Sequence, residues 1–83
     1  MPKSIYTQEQ RALQKLLKRL RGRSGLTQES LAERLNLPQS FVSKYESGER
    51  RLDVLELRRV CMALAIDFSE FAKLLEKDLK HAA

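Results

Sequence analysis

Between Pro38 and Glu46 the chain reads Gln39-Ser40-Phe41-Val42-Ser43-Lys44-Tyr45. On a helix, Val42 and Tyr45 share one side, while Gln39, Ser40, Ser43 and Lys44, with Phe41, form the other. Short amide and hydroxyl groups beside a lysine, on an outward helix face, supply donors and acceptors able to reach base edges in a duplex groove. Arg50 and Arg51 follow in the next loop, where contact with a phosphate backbone is the favoured reading over an idle charged loop. Other chemistry is poorly served. Cys61 is the only cysteine and His81 the only histidine, so no disulfide, thiolate cluster or histidine catalysis is expected. No carboxylate pair, nucleophile–base set or phosphate-cradling glycine loop is present, so neither an enzyme, a metal nor a cofactor is expected.

The charge distribution agrees with a polyanionic partner. Sixteen Lys and Arg against eleven Asp and Glu give +5, but residues 1–51 carry +6 and residues 52–83 carry −1. A basic front and a near-neutral back suggest one face for a polyanion and another for self-packing. Nucleic acid is the commonest such partner, and an anionic membrane surface is its rival. Nothing in the chain approaches the roughly 20 apolar residues of a membrane span. No apolar signal segment follows Met1, and the expected location is the cytoplasm. With 83 residues, 42% hydrophobic and 33% charged, the chain is expected to fold as one small domain with a single core.

Those side chains need helices to position them, and the apolar spacing is helical throughout. The pattern predicts an all-α, compact five-helix bundle. The first helix, Gln8 to Arg21, carries Leu13, Leu16, Leu17 and Leu20 on one stripe, with Thr7 and Gln10 forming a capping box. The second runs from Gln28 to Leu35 behind a Thr27 cap, and the third from Gln39 to Glu46. Asp53 with Glu56 opens a fourth, whose stripe is Val54, Leu57, Val60, Cys61 and Leu64. Asp67 with Glu70 opens a fifth, carrying Phe68, Phe71, Leu75 and Leu79. Met1–Tyr6 and His81–Ala83 are expected tails, and Cys61 a buried, inert thiol.

Two short helices joined by a tight break have the geometry of a helix-turn-helix. Ala32 is small where the helices must cross, Asn36 tolerates a left-handed turn, and Leu37, Val42 and Tyr45 anchor the second helix. The stretch Leu26-Thr27-Gln28-Glu29-Ser30-Leu31-Ala32-Glu33-Arg34-Leu35, then Pro38 to Arg51, resembles the phage-repressor/Cro type of helix-turn-helix, also called the xenobiotic-response-element family. The likeness covers about residues 8–75. It implies a lambda-repressor-like DNA-binding bundle with the helix-turn-helix at helices 2 and 3, acting as a homodimeric transcriptional regulator on double-stranded DNA.

By the same resemblance, Gln28 touches a phosphate and braces Gln39, which opens the recognition helix and pairs with an adenine edge. Ser40, Phe41, Ser43 and Lys44 take the other groove-facing positions, although Phe41 alone also reads as a packing residue. Thr27, Arg23, Arg50 and Arg51 fall beside the DNA backbone. Arg21 and Glu46 fall where the family places an ion pair between the first helix and the end of the recognition helix. Two departures stand out: Asn36 replaces the usual turn glycine, and Pro38 stands where a Ser or Thr cap is common. Leu55 and Met62, off the main stripe of the fourth helix, and Leu74 in the fifth are expected to mark a dimerisation face. Operator occupancy is the simplest mode of repression. The alternatives are an antitoxin that holds a toxin protein and binds DNA secondarily, and an adaptor that has lost DNA binding.

Overall fold

A computed structural model describes residues 5–82, with side chains from 7 to 81. Five helices follow one another: α1 (Ile5–Arg23), α2 (Gln28–Leu35), α3 (Gln39–Ser47), α4 (Val54–Ala63) and α5 (Phe68–Ala82). Among the described residues there is no strand, and no helix is long and apolar enough to cross a membrane.

The helix boundaries follow from local chemistry. α2 opens on Thr27, whose hydroxyl accepts from the Ser30 amide at 3.0 Å while the Ser30 hydroxyl accepts from the Thr27 amide at 2.8 Å. This reciprocal pair occupies two of the amide donors that a helix start leaves without partners. Asn36 ends α2 in the left-handed region at φ 58°. Here Asn does the work of the glycine usual in this turn, because its short side chain tolerates that conformation. α3 opens on Pro38, which makes no side-chain cap bond, and closes on Gly48 at φ 90°. That angle is one a side-chain-bearing residue rarely adopts. Asp53 and Glu56 form the expected box at α4, the Glu56 amide lying 2.7 Å from Asp53 Oδ1 and the Asp53 amide 3.0 Å from Glu56 Oε1.

Several expectations at the ends need correction. α1 begins at Ile5, so Thr7 lies inside the helix and caps nothing. At α5 only half the expected box forms: Asp67 accepts from the Ser69 amide at 3.1 Å, whereas Glu70 faces Lys73 at 4.0 Å, one turn along. Part of each expected tail is helical, since Ile5, Tyr6, His81 and Ala82 belong to α1 and α5; residues 1–4 and 83 lie outside the described range.

Leu16, Leu17 and Leu20 of α1 pack with Leu31 and Ala32 of α2, Val42 and Tyr45 of α3, Val60 and Cys61 of α4, Leu64 just beyond it, and Phe71 of α5. Each buried leucine or phenylalanine contributes about 1.5–3 kcal/mol by leaving water. α1 is the spine, in contact with both α3 and α5, while α2 packs on α3 and α4. A polar tie reinforces the α2–α4 contact, the Arg34 guanidinium donating to the Ala63 carbonyl at 3.1 Å. Such a bond serves one of the carbonyls that the last turn of α4 leaves open. Val54, expected on the α4 stripe, points outward and is 62% exposed. It is the first residue of α4, ahead of the turn that reaches the core.

Candidate nucleic-acid interface

The face of α3 away from the core is polar and open. Gln39, Ser40 and Lys44 are exposed, Phe41 and Ser43 are half-buried, and Val42 and Tyr45 are buried beneath them. The division follows from the sequence: two apolar anchors three residues apart hold a short helix down and leave its other side free. Thr27, Arg23 and Arg51 are also exposed; Thr27 lines a hollow with Gln28 and Gln39, whereas Arg51 lines another with Glu9, Gln10 and Leu13 of α1 and Leu75 and Leu79 of α5.

Behind the face lies a chain of polar contacts. Arg21 Nε and Nη2 lie 2.7 and 3.0 Å from the two carboxylate oxygens of Glu46, a forked pair joining α1 to α3. Arg21 Nη1 also donates to the Leu26 carbonyl at 2.9 Å. The side chains are only 15% and 3% exposed, so water screens the pair little and the fork geometry makes it directional. The bond to Glu46 raises the Arg21 pKa above its ordinary value, with burial opposing it. Gln28 Nε2 donates to the same Glu46 oxygen at 2.9 Å. Its carbonyl oxygen then faces Gln39, whose amide nitrogen lies 3.5 Å away. One face of the Gln39 amide is thereby steadied, and one N–H and the carbonyl oxygen remain for a partner outside the protein.

A second cluster lies on the other side of α3. The Phe41 ring meets Tyr45 edge to face, with centroids 5.6 Å apart and planes at 75°. The Arg50 guanidinium sits 4.7 Å above the Phe41 centroid. Arg50 does not stand free. Its Nη1 and Nη2 donate to the two oxygens of Glu56 at 3.0 and 2.7 Å, and Nη1 also reaches the Arg51 carbonyl at 3.1 Å. Arg50 was expected to offer its charge to a DNA backbone; in the fold that charge is matched by a carboxylate six residues on. The Arg50 bond, and then the Asp53 amide, pull the Glu56 carboxyl down to about 2. Nothing in the sequence pattern marked this pair, because helical spacing rules do not extend across a loop. The Phe41 ring lies partly against the protein, as its packing reading had it, and partly open.

Tyr45 places its hydroxyl in the interior without a hydrogen-bond partner, and burial raises its pKa. Burial likewise pushes the Cys61 thiol up to about 11, which leaves it protonated and poorly nucleophilic at neutral pH.

The residues singled out for self-association separate. Leu55 and Met62 point outward on α4, 69% and 62% exposed, with Arg58 and Arg59 exposed between them. Leu74 is half-buried and packs against the core, so it is not part of that outward strip.

The helix-turn-helix family matches this chain over residues 17–71, from the middle of α1 to the first turn of α5. The chain belongs to the helix-turn-helix family. It is a DNA-binding regulator of transcription, and its family is not one of enzymes. Control protein C.MunI from Mycoplasma sp is 31% identical over 64 residues, covering 77% of this chain and 86% of that protein. Among solved structures, an XRE-family like protein from Pseudomonas syringae pv. tomato is 44% identical and covers 88% of this chain and 89% of its own, with a TM-score of 0.83. The restriction-modification controller protein C.Esp1396I is 27% identical over 86% of this chain and 93% of its own, with a TM-score of 0.80. That controller has also been solved as a tetramer with its natural 35 base-pair operator. The resemblance to the xenobiotic-response-element type, first carried by the residues from Leu26 to Arg51, therefore holds at the level of family and fold. The antitoxin alternative draws no support from these helix-turn-helix relatives.

Proposed function

We propose that this helix-turn-helix regulator represses transcription by occupying an operator, setting the exposed face of α3 into the major groove. One observation carries the reading: Gln39, Ser40 and Lys44 stand outward on a helix held down by Val42 and Tyr45, and the fold gives them no interior task. Gln39 takes an adenine edge, Ser40, Ser43 and Lys44 take neighbouring bases, and Phe41 offers its open ring edge to a thymine methyl. Gln28, Thr27, Arg23 and Arg51 border the phosphate backbone and set the register. The described chain works as one folding unit, in the compartment that holds the DNA, and performs no catalysis of its own.

Two copies pairing through Leu55 and Met62 would present two α3 helices to half-sites about one helical turn apart, 34–36 Å. Likeness to C.MunI and C.Esp1396I favours a narrower setting, control of restriction-modification genes from an operator with more than one dimer site. Selection of bound duplexes from a random pool tests the whole reading. A recovered palindrome with thymine and adenine preferences is expected. Recovery of unrelated sequences bound with equal strength would remove sequence-specific regulation.

A further inference from the structure

We infer that Arg50 is a positioning residue for base recognition and makes no phosphate contact: together with Glu56 it holds the Phe41 ring at the angle that meets a thymine methyl. This rests on the reading of α3 as the recognition helix. The guanidinium has five N–H donors, and three hydrogen bonds already engage it, two to Glu56 and one to the Arg51 carbonyl. Its Cζ lies 4.7 Å from the Phe41 centroid, a cation–π contact that fixes the guanidinium over the ring while the Glu56 carboxylate already balances its charge. Its carboxylate partner is itself pinned, since Glu56 Oε1 accepts from the Asp53 amide and the Glu56 amide donates to Asp53.

The outcome is a stack of known order: Glu56 on the first turn of α4, Arg50, the Phe41 ring, then the buried Tyr45 ring meeting it edge-on. The Arg50 amide adds a bond to the Lys44 carbonyl at 3.2 Å, tying the loop to the end of α3. Without the guanidinium, Phe41 keeps its T-shaped contact with Tyr45 and its packing against the core but loses the contact over its ring face, and the ring gains freedom to shift. An apolar contact to a methyl group depends on ring placement within fractions of an ångström. Loss of Arg50 therefore lowers discrimination at one base pair and leaves the general attraction to DNA intact.

The two roles predict opposite results from three variants, Arg50→Ala, Arg50→Lys and Glu56→Gln. Binding is measured on a duplex selected by the wild-type protein and on a scrambled duplex of equal length, over a range of salt. A positioning role predicts that all three weaken the selected duplex, roughly tenfold, with the scrambled duplex and the salt slope unchanged. It also predicts that the loss vanishes when the thymine facing Phe41 is replaced by uracil, which lacks the methyl. A phosphate role predicts a salt slope lower by about 0.9 for Arg50→Ala, near wild-type behaviour for Arg50→Lys, and tighter binding for Glu56→Gln, which releases the arginine. Any of these last three overturns the proposal. Should Arg50→Ala fail to fold, the charge-conserving lysine variant decides alone. A wild-type protein that does not distinguish the two duplexes rejects the recognition-helix reading itself, and the proposal with it.

Discussion

The Gln28 amide nitrogen lies 2.9 Å from a carboxylate oxygen of Glu46, and that contact settles which way the amide points. A carboxylate accepts and cannot donate, so the NH2 group must face it and the carbonyl must turn toward Gln39. The direction of the exposed Gln39 amide is thus set by a buried acid two contacts away, which Arg21 in turn neutralises.

Glu46→Ala is accordingly expected to act twice. It leaves the Arg21 side chain, 15% exposed, without its counter-charge, a loss of up to about 3–5 kcal/mol, the range for broken buried pairs. It also frees the Gln28 amide to turn. Thermal melting should show the first effect, and reduced preference at the base proposed for Gln39 the second. A stability loss below about 1 kcal/mol would mean that apolar packing alone joins α1 to α3.

Gln39→Ala should cost about 1–3 kcal/mol on the selected duplex and relax preference at one position. Competition among single-base variants of that duplex is the measurement. A uniform loss on every variant would make Gln39 a backbone contact.

Leu55→Glu should give the mass of one chain in sedimentation equilibrium where the wild type gives two, because a carboxylate would be buried among apolar side chains at the contact. Folding should be unaffected, since Leu55 is 69% exposed. An unaltered mass would move the self-association surface off α4.

Acid should weaken the Arg50–Glu56 link between the α3–α4 loop and the first turn of α4 in a defined window. Hydrogen bonds from Arg50, and secondarily from the Asp53 amide, lower the Glu56 carboxyl from its ordinary 4.5 to about 2. The folded state therefore keeps Glu56 ionised where the unfolded chain has already taken up a proton. Its stabilising effect is complete above about pH 5 and drains away as the pH falls toward 2. The melting-temperature gap between the wild type and Glu56→Gln should narrow across that range. A gap independent of pH would show that the ionised form is not what the fold favours.

Much of this arrangement could be read without coordinates, where the chemistry was local. Asn36 and Pro38 marked the break between α2 and α3 because each restricts its own backbone. The anchors Val42 and Tyr45 followed from period, and the open face of α3 followed from them. The Arg21–Glu46 pair came from family resemblance, since twenty-five intervening residues carry no spacing rule. Two kinds of feature are not legible in the sequence. Ser30 completes the Thr27 cap although serine is not the usual partner there, and the start of α1 at Ile5 was masked by a plausible cap at Thr7. The Arg50–Glu56 pair spans a loop whose path only the packing of α3 against its neighbours determines. Arg50 in sequence is a loop cation like Arg51; only the fold separates them.

α2 packs on both α3 and α4, and the exposed Arg34 bond to the Ala63 carbonyl adds a tie between α2 and α4, so the three helices belong to one packed unit. Any pairing through the outer side of α4 would then behave as a caliper whose jaws cannot be reset independently. Each base pair added between half-sites rotates one jaw by about 35° around the duplex axis, an offset that so tightly packed a unit leaves little slack to absorb. The separation of half-sites would consequently be read as strictly as the letters within them.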